Sequence, residues 1–393
     1  MKRSVCYRDP LSSFGVYSDS KKDGFDGIKV LQIGIGPAFG GIESFLLNLK
    51  KNSDSSLVRF DYVSYVSNPA RREEFQSEGS RVFCLSDRSN PFLYFRELCL
   101  LCSQGYDVVH VHKNSAADIV PFLAAKKTHV KRIIAHAHNA NRPLTHLQSV
   151  LNFVGGCCLG SVCTDEFACS ELAARWLFSK RDIEEKRVRI LYNGVDLERF
   201  AFSRSKRNAI RKKYDVEDCA VFGCVGRFRP QKNHAYLVSV FREICKLNPN
   251  SCLLLLGDGP DRKTVEQALE NQGLADKAIF TGNVENVGDY MMAMDVMLLP
   301  SLYEGFPIVA IEAQATGLPI VASENITGEI SILDSCVRVA LDESDVSEWA
   351  QTALKLSRCE RKPIVGEQMR LFSWSEVGKA MTSFYVGENG SCG

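Results

Sequence analysis

With 393 residues the chain is longer than one hydrophobic core usually supports, so two domains of ordinary size are expected. Hydrophobic residues make up 45% of it and the net charge is only +1, which describes a globular protein and excludes nucleic-acid binding through overall basicity. No apolar run approaches the roughly twenty residues that a membrane span needs, and the N-terminal MKRSVCYRDPLSSF lacks the apolar stretch of a secretory signal.

The fifteen cysteines are odd in number and scattered singly through apolar segments, as at Cys84, Cys169, Cys224, Cys252 and Cys336. Together with the missing export signal this reads as buried thiols in a reducing cytoplasm rather than as a disulfide framework. Cys99 and Cys102 form a C-x-x-C inside the apolar run PFLYFRELCLLCSQG, but no second pair stands at zinc-ribbon spacing.

Residues 1–27 are polar, without periodicity, and read as a flexible extension. A first domain is expected over 28–204. Its strands are IKVLQIG, VRFDYVS, RVFCL, DVVHVH, KRIIAHAH and EFACS, separated by helical segments such as NSAADIVPFLAAKK. A basic stretch, SRSKRNAIRKKY, precedes a second set of strands in 205–371: AVFGCVG, CLLLLGDG, AIFTG, DVMLLP, LPIVAS and CVRVA. Strands alternating with helices imply α/β architecture, two Rossmann-like doubly wound domains with ligands at the carboxyl ends of the strands.

After the first strand, Gly34, Gly36 and Gly40 read G-x-G-x-x-x-G, one residue off the dinucleotide fingerprint, and no acid closes the second strand to hold an adenosine ribose. That disfavours an oxidoreductase. Gly40 and Gly41 allow either a tight turn before a helix or close approach of the backbone to a bound group. His110 and His112 alternate on one strand and His136 and His138 on another, so each pair faces one side at a strand end. Four histidines are compatible with zinc or with imidazoles satisfied by backbone, and no Cys, Asp or Glu nearby in sequence completes a metal set.

In the second half GRFRPQKN places Arg227 and Lys232 directly after a strand, a forked cation and a point charge suited to phosphate. Further on, LPSLYEGFPIVAIEAQATGLPIVAS reads as strand, loop, helix and strand. Pro307 suits the first helical turn and Gly317 the position past the last. Glu304 is then a loop residue, and Glu312 lies about 7.5 Å into the helix. Two carboxylates flank one helix N-terminus, where the amides of Gly305, Phe306 and, beyond Pro307, Ile308 would attract an anion. The plain alternative is two acids on a solvated loop and helix.

The E-x7-E of Glu304 and Glu312 within SLYEGFP-x4-EAQATGLPIVAS resembles the signature of the family 4 retaining glycosyltransferases of the GT-B fold. GGIE at Gly40, Gly41 and Glu43, HAHN at His136 and His138, GRFRPQKN, LYNGVDLERF, LLLLGDGP and FTGNVENVGDY are similar to further family segments, so the likeness runs over about residues 28–386. It departs where Gly305-Phe306-Pro307 stands for the commoner Ser-Phe-Gly. The resemblance implies two domains facing each other across a cleft, with a C-terminal helix at 372–386 returning to the first. Catalytic roles fall on His138, with His136 the alternate, and on Glu304, Arg227 and Lys232. Gly40 and Gly41 would lie by the diphosphate or the sugar, Gly282 and Val284 by the base, and Glu312 on the ribose.

The activity implied is transfer of a sugar from a nucleotide diphosphate to a hydroxyl with retained anomeric configuration, without a metal or other cofactor, and with a UDP-sugar as the expected donor. HAHN resembles the subgroup of exopolysaccharide and capsule assembly. The implied acceptor is therefore a lipid-linked or free oligosaccharide at the cytoplasmic face of the membrane, with no nucleic-acid partner. Apolar VLNFVGGCCLG at 150–160 and Lys126 and Lys127 suit either a peripheral membrane contact or a helix packed in the first domain's core. A nucleotide-sugar epimerase and a catalytically silent nucleotide-sugar sensor are the alternatives.

Overall fold

Short runs of β-branched and aliphatic residues, too brief for buried helices, become parallel strands, most of them buried. In the computed structural model, which describes residues 24–85, 88–140, 143–361 and 367–387, they form two all-parallel sheets. The proposed extension at 1–27 lies almost wholly outside the described residues. The first sheet holds β1 (Ile28–Ile35), β2 (Val58–Ser64), β3 (Val82–Cys84), β4 (Val108–Lys113), β5 (Arg132–Ala137), β6 (Asp165–Ala168) and β7 (Val188–Ile190), in the order β3-β2-β1-β4-β5-β6-β7. The second holds β8 (Ala220–Val225), β9 (Ser251–Leu256), β10 (Ala278–Gly282), β11 (Val296–Leu299), β12 (Ile320–Ser323) and β13 (Cys336–Val339), in the order β10-β9-β8-β11-β12-β13. Each sheet therefore reverses its winding beside its own first strand, between β1 and β4 and between β8 and β11. Every one of these strands but β7 coincides with a run read from the sequence.

The chain divides into two compact units. One takes in the chain up to Asn139, Pro143–Leu191 and the stretch from Trp374; the other is built chiefly from Tyr192–Ser373. The first changeover precedes the boundary expected at 204/205, and the reason is local. Val195 donates its N–H to Phe372 O, Arg199 Nη2 donates to Glu285 O at 2.7 Å, and the buried ring of Phe200 lies against the backbone of Gly288. These contacts make YNGVDLERF, from Tyr192 on, part of the second unit, while Leu191 stays in the first unit's core.

The first unit's core joins Val30, Phe45, Tyr62, Phe75, Ile134 and Phe167 to Trp374, Val377, Met381 and Tyr385 of the last helix, Trp374–Val386. Side chains such as Val377 and Met381 contribute about 1.5–3 kcal/mol each when fully buried. The second unit's core gathers Phe222, Phe241, Leu253, Leu298, Val321 and Trp349. The thirteen cysteines among the described residues are free; Cys157 and Cys359 are exposed, so the expectation of uniformly buried thiols does not hold for them. Cys102 is buried, which pushes its thiol up to about 12.

The last helix sits close because Gly378 has no side chain. A Cβ there would fall 2.1 Å from Asn52 O. Gly378→Ala should destabilise the protein by about 1–3 kcal/mol through forced separation of this helix from Gly41–Asn52, read as a lowered thermal midpoint.

Candidate functional site

In an open parallel sheet the loops that leave the strands flanking the winding reversal leave a crevice at their carboxyl ends. In the second unit those loops are GRFRPQKN, after β8, and SLYEGFP, after β11. They meet. Lys232 Nζ lies 2.7 Å from Glu304 Oε1, with both side chains mostly buried at 14% and 13% exposure. Ser301 Oγ donates to the same oxygen at 3.1 Å, and Gln231 Nε2 donates to Glu304 Oε2 at 3.2 Å and to Tyr303 O at 2.9 Å. Leu302 N–H donates to Gln231 O at 2.8 Å. A carboxylate and an ammonium taken from water at this depth persist only when paired and hydrogen-bonded, and here they are.

Lys232 reaches Glu304 by crossing the backbone of Gly226, whose φ of +153° and missing Cβ make room; a Cβ would fall 2.7 Å from Lys232 Cε. Gly257, at φ +124°, lets the loop after β9 lie under the same turn, since a Cβ there would fall 2.1 Å from Gly226 O. Arg227 projects into solvent from this support. Gly282 accepts the Gly257 N–H at 2.9 Å, nothing lies within 4 Å of where its Cβ would be, and Val284 beyond it is half-buried.

The helix after Glu304 runs Ile308–Ala315. Pro307 is its N-cap, with ψ at 101°, rather than a first-turn residue, and its carbonyl accepts Ala310 N–H at 2.9 Å. Ile308 and Val309 amides precede the first intrahelical acceptor and point past the end. At the far end Gly317 adopts φ +69°, with Leu318 N–H on Ala313 O and Gly317 N–H on Gln314 O, a Schellman stop. Gly305 is buried, and Phe306 turns its ring inward against Phe372 at 5.9 Å and Tyr192 at 5.2 Å, so the loop is anchored from beneath. Glu312 lies in the helix, half-buried, and among the described residues its carboxylate has no hydrogen-bond partner. Burial raises it to about 7, with Arg199 pulling the other way.

In the first unit the glycine loop after β1 is held from inside. Glu43, buried in the first turn of Gly41–Asn52, accepts Gly36 N–H at 2.7 Å and Gly40 N–H at 2.9 Å. Gly40 and Gly41 are exposed, and a Cβ on Gly41 would meet nothing within 4 Å. The two histidines of β4, His136 of β5 and His138 just past its end come together as neighbours: His112 pairs with His136 in register, and neighbouring rings lie 4.1–5.4 Å apart centre to centre. His110, His112 and His136 offer nitrogens within 4.8 Å of one another, a set with the dimensions of a metal site. Five of their six nitrogens are instead hydrogen-bonded, His136 Nε2 being without a partner among the described residues. His110 Nδ1 is 2.7 Å from Tyr385 Oη, His110 Nε2 3.2 Å from His136 Nδ1, His112 Nδ1 2.7 Å from His138 Nε2, and His112 Nε2 2.7 Å from Gln32 Oε1. Burial holds all four imidazoles below their ordinary value, His138 at about 3, so they are neutral at physiological pH. Gln32 and Tyr385 were not singled out in the sequence. Gln32 was detectable as the lone amide in IKVLQIGI; Tyr385 was not, being 353 residues away.

The helix that carries VLNFVGGCCLG, His146–Val162, is not a core helix throughout. Gly155 and Gly156 press against the carbonyls of Ala116 and Leu177, and Asn152 accepts from Ser115 Oγ and Ala116 N. Its first turns expose Leu147, Val150, Leu151, Phe153 and Val154, with Leu147 at 68% and Phe153 at 73%.

Glu312 titrates higher in the folded protein than the ordinary 4.5, so the native state binds the extra proton between about 4.5 and about 7, and stability falls as pH rises through that window. Glu312→Gln should therefore gain about 1–3 kcal/mol on wild type between about pH 5 and about pH 8, measured as the difference in unfolding free energy.

Comparison with known proteins agrees with this arrangement. Residues 206–368 match the model for glycosyl transferases group 1, and residues 39–199 match that for glycosyltransferase family 4. EpsF of Bacillus subtilis (strain 168), named a putative glycosyltransferase, is 31% identical over 351 residues, 85% of this chain and 88% of EpsF. The UDP-Gal:alpha-D-GlcNAc-diphosphoundecaprenol alpha-1,3-galactosyltransferase of Escherichia coli is 30% identical over 239 residues, 58% of this chain and 60% of that one. Among solved structures, Anabaena HepE in complex with UDP-glucose superposes with a TM-score of 0.70 at 19% identity, covering 91% of this chain and 95% of HepE. By its sequence and by its two Rossmann-like units, the chain belongs to the family 4 glycosyltransferases of the GT-B fold.

Proposed function

We propose that the protein transfers a sugar from a UDP-sugar to a hydroxyl of a lipid-linked or oligosaccharide acceptor in exopolysaccharide or other cell-surface glycan assembly, with the anomeric configuration retained. The observation that carries this reading is the meeting of Lys232 and Glu304 from the two loops that flank the winding reversal of the second sheet. A nucleoside diphosphate laid there has Arg227 and Lys232 for its phosphates, the free amides of Ile308 and Val309 for its negative charge and Glu312 for its ribose hydroxyls. The Escherichia coli relative is named for a UDP-galactose donor and a diphosphoundecaprenol acceptor, and HepE was solved with UDP-glucose, which supports this choice of donor and acceptor class.

In the step proposed, the bond from the anomeric carbon to the β-phosphate oxygen breaks while the acceptor oxygen bonds to that carbon on the same face. The proton of the acceptor hydroxyl passes to the departing β-phosphate. Negative charge grows on that phosphate, and fixed cations bind it more strongly in the transition state than in the ground state, which is the work a divalent metal does elsewhere. Phosphate arriving at Lys232 competes with Glu304 for the ammonium, and the released carboxylate is then placed to accept from donor-sugar hydroxyls. His138 is the first unit's group for a sugar hydroxyl.

An acceptor on a lipid would be met at a membrane surface. The exposed apolar turns of His146–Val162 adjoin the helix Val120–Lys127, which ends in exposed Lys126 and Lys127, and among the described residues no helix is long and apolar enough to cross a membrane. An amphipathic surface with cations at its margin suits anionic lipid from one side.

Incubation with a range of nucleotide sugars, with and without a lipid-linked oligosaccharide, and mass-spectrometric analysis of products should show UDP release only alongside a glycosylated acceptor, undiminished by a metal chelator. Altered sugar without acceptor would mean an epimerase and end this reading. Lys232→Ala and Arg227→Ala should each lower turnover about 10²-fold or more, Arg227→Ala with an unchanged thermal midpoint and Lys232→Ala with a lowered one, because it strands the Glu304 carboxylate. Co-sedimentation with anionic vesicles at low salt should be lost in the Leu147→Ser/Phe153→Ser double variant; a wild type that stays in the supernatant would remove the membrane contact.

A further inference from the structure

The hydrogen bonds around the histidines form one unbranched chain: His138–His112–Gln32–Tyr385–His110–His136. Its polarity follows from elementary donor and acceptor rules. Gln32 Oε1 can only accept, so His112 carries its proton on Nε2 and offers a bare Nδ1, and His138 must donate from Nε2. On the other side Gln32 Nε2 donates to Tyr385 Oη at 3.2 Å, and the phenol proton, which has no other acceptor among the described residues, goes to His110 Nδ1. His110 then donates from Nε2 to His136 Nδ1, leaving the His136 proton on Nε2 as well. All four imidazoles thus share one tautomer. Turning the Gln32 amide over would reverse every bond and move all four protons to Nδ1; no mixed arrangement satisfies the chain.

Each end stops at a buried nitrogen without a partner among the described residues, His138 Nδ1 and His136 Nε2. In the arrangement above the first is a bare acceptor and the second a donor. A glutamine amide does not pass protons along readily, so the chain orients rather than conducts. We propose that Gln32 and Tyr385 are positioning residues that lock His110, His112, His136 and His138 in the neutral Nε2–H form, so that His138 presents a bare Nδ1 to a hydroxyl of the sugar ligand. This rests on the transferase reading for the ligand, but the tautomers themselves do not depend on it.

Long-range proton–nitrogen correlation spectra of the full chain labelled with ¹⁵N-histidine read the tautomers directly. Wild type should give the Nε2–H pattern for all four. Tyr385→Phe, a small change in a buried ring, should leave His112 and His138 in that form and release His110 and His136 into a mixture, whereas Gln32→Leu should release all four. A proton on Nδ1 in any of the four in wild type, an unchanged His110 in Tyr385→Phe, or one equivalent of zinc or another transition metal in the purified protein would overturn the proposal. Titration with UDP-glucose separates the two readings: a locked His138 whose signals do not move would leave the tautomer chain standing and reject His138 as a sugar contact.

Discussion

The Lys232–Glu304 ion pair ties together the loops that leave β8 and β11, and it exists because of strand order. Parallel strands wound first one way and then the other bring the ends of β8 and β11 side by side, and only there do these loops become neighbours. The pair is also a compromise. Two charges at this depth stabilise little beyond their own desolvation, and removing one strands the other. Such a pair suits a site that waits for a phosphate, because the incoming anion can replace the carboxylate at the ammonium without leaving either charge bare.

Comparable economy marks the first unit. Its glycine loop is shaped by Glu43 from within, so the acid of GGIE serves the backbone while Gly40 and Gly41 keep their outer faces open. Its histidines, neutral through burial, supply direction rather than charge. The cations proposed for phosphate, Arg227 and Lys232, stand in the other unit.

Much of this was legible before the structure. Buried parallel strands read as apolar runs because both faces are covered, and helix ends such as Gly317 are written in single residues. What escaped notice has physical causes. Strand β7 is three residues long with partly exposed side chains, so Val188–Ile190 carries no run. The helix at 146–162 is apolar on nearly every side, and composition alone does not separate its glycine-lined packing face from its exposed turns. The ion pair between Lys232 and Glu304 was invisible because each motif was read as a ligand contact; only the topology shows that they touch first. Pro307 was misplaced by one position, since a proline just before a helix and one just inside it look alike in sequence.

Tyr385 comes from the last described helix, yet this helix completes the unit that contains β1. During synthesis the sheet with the histidines leaves the ribosome long before its final partner is made, and Gln32 and His110 remain without their phenol until the whole second unit has been translated. The histidine arrangement is thus a late event in the life of each molecule, and a nascent or prematurely terminated chain lacks it.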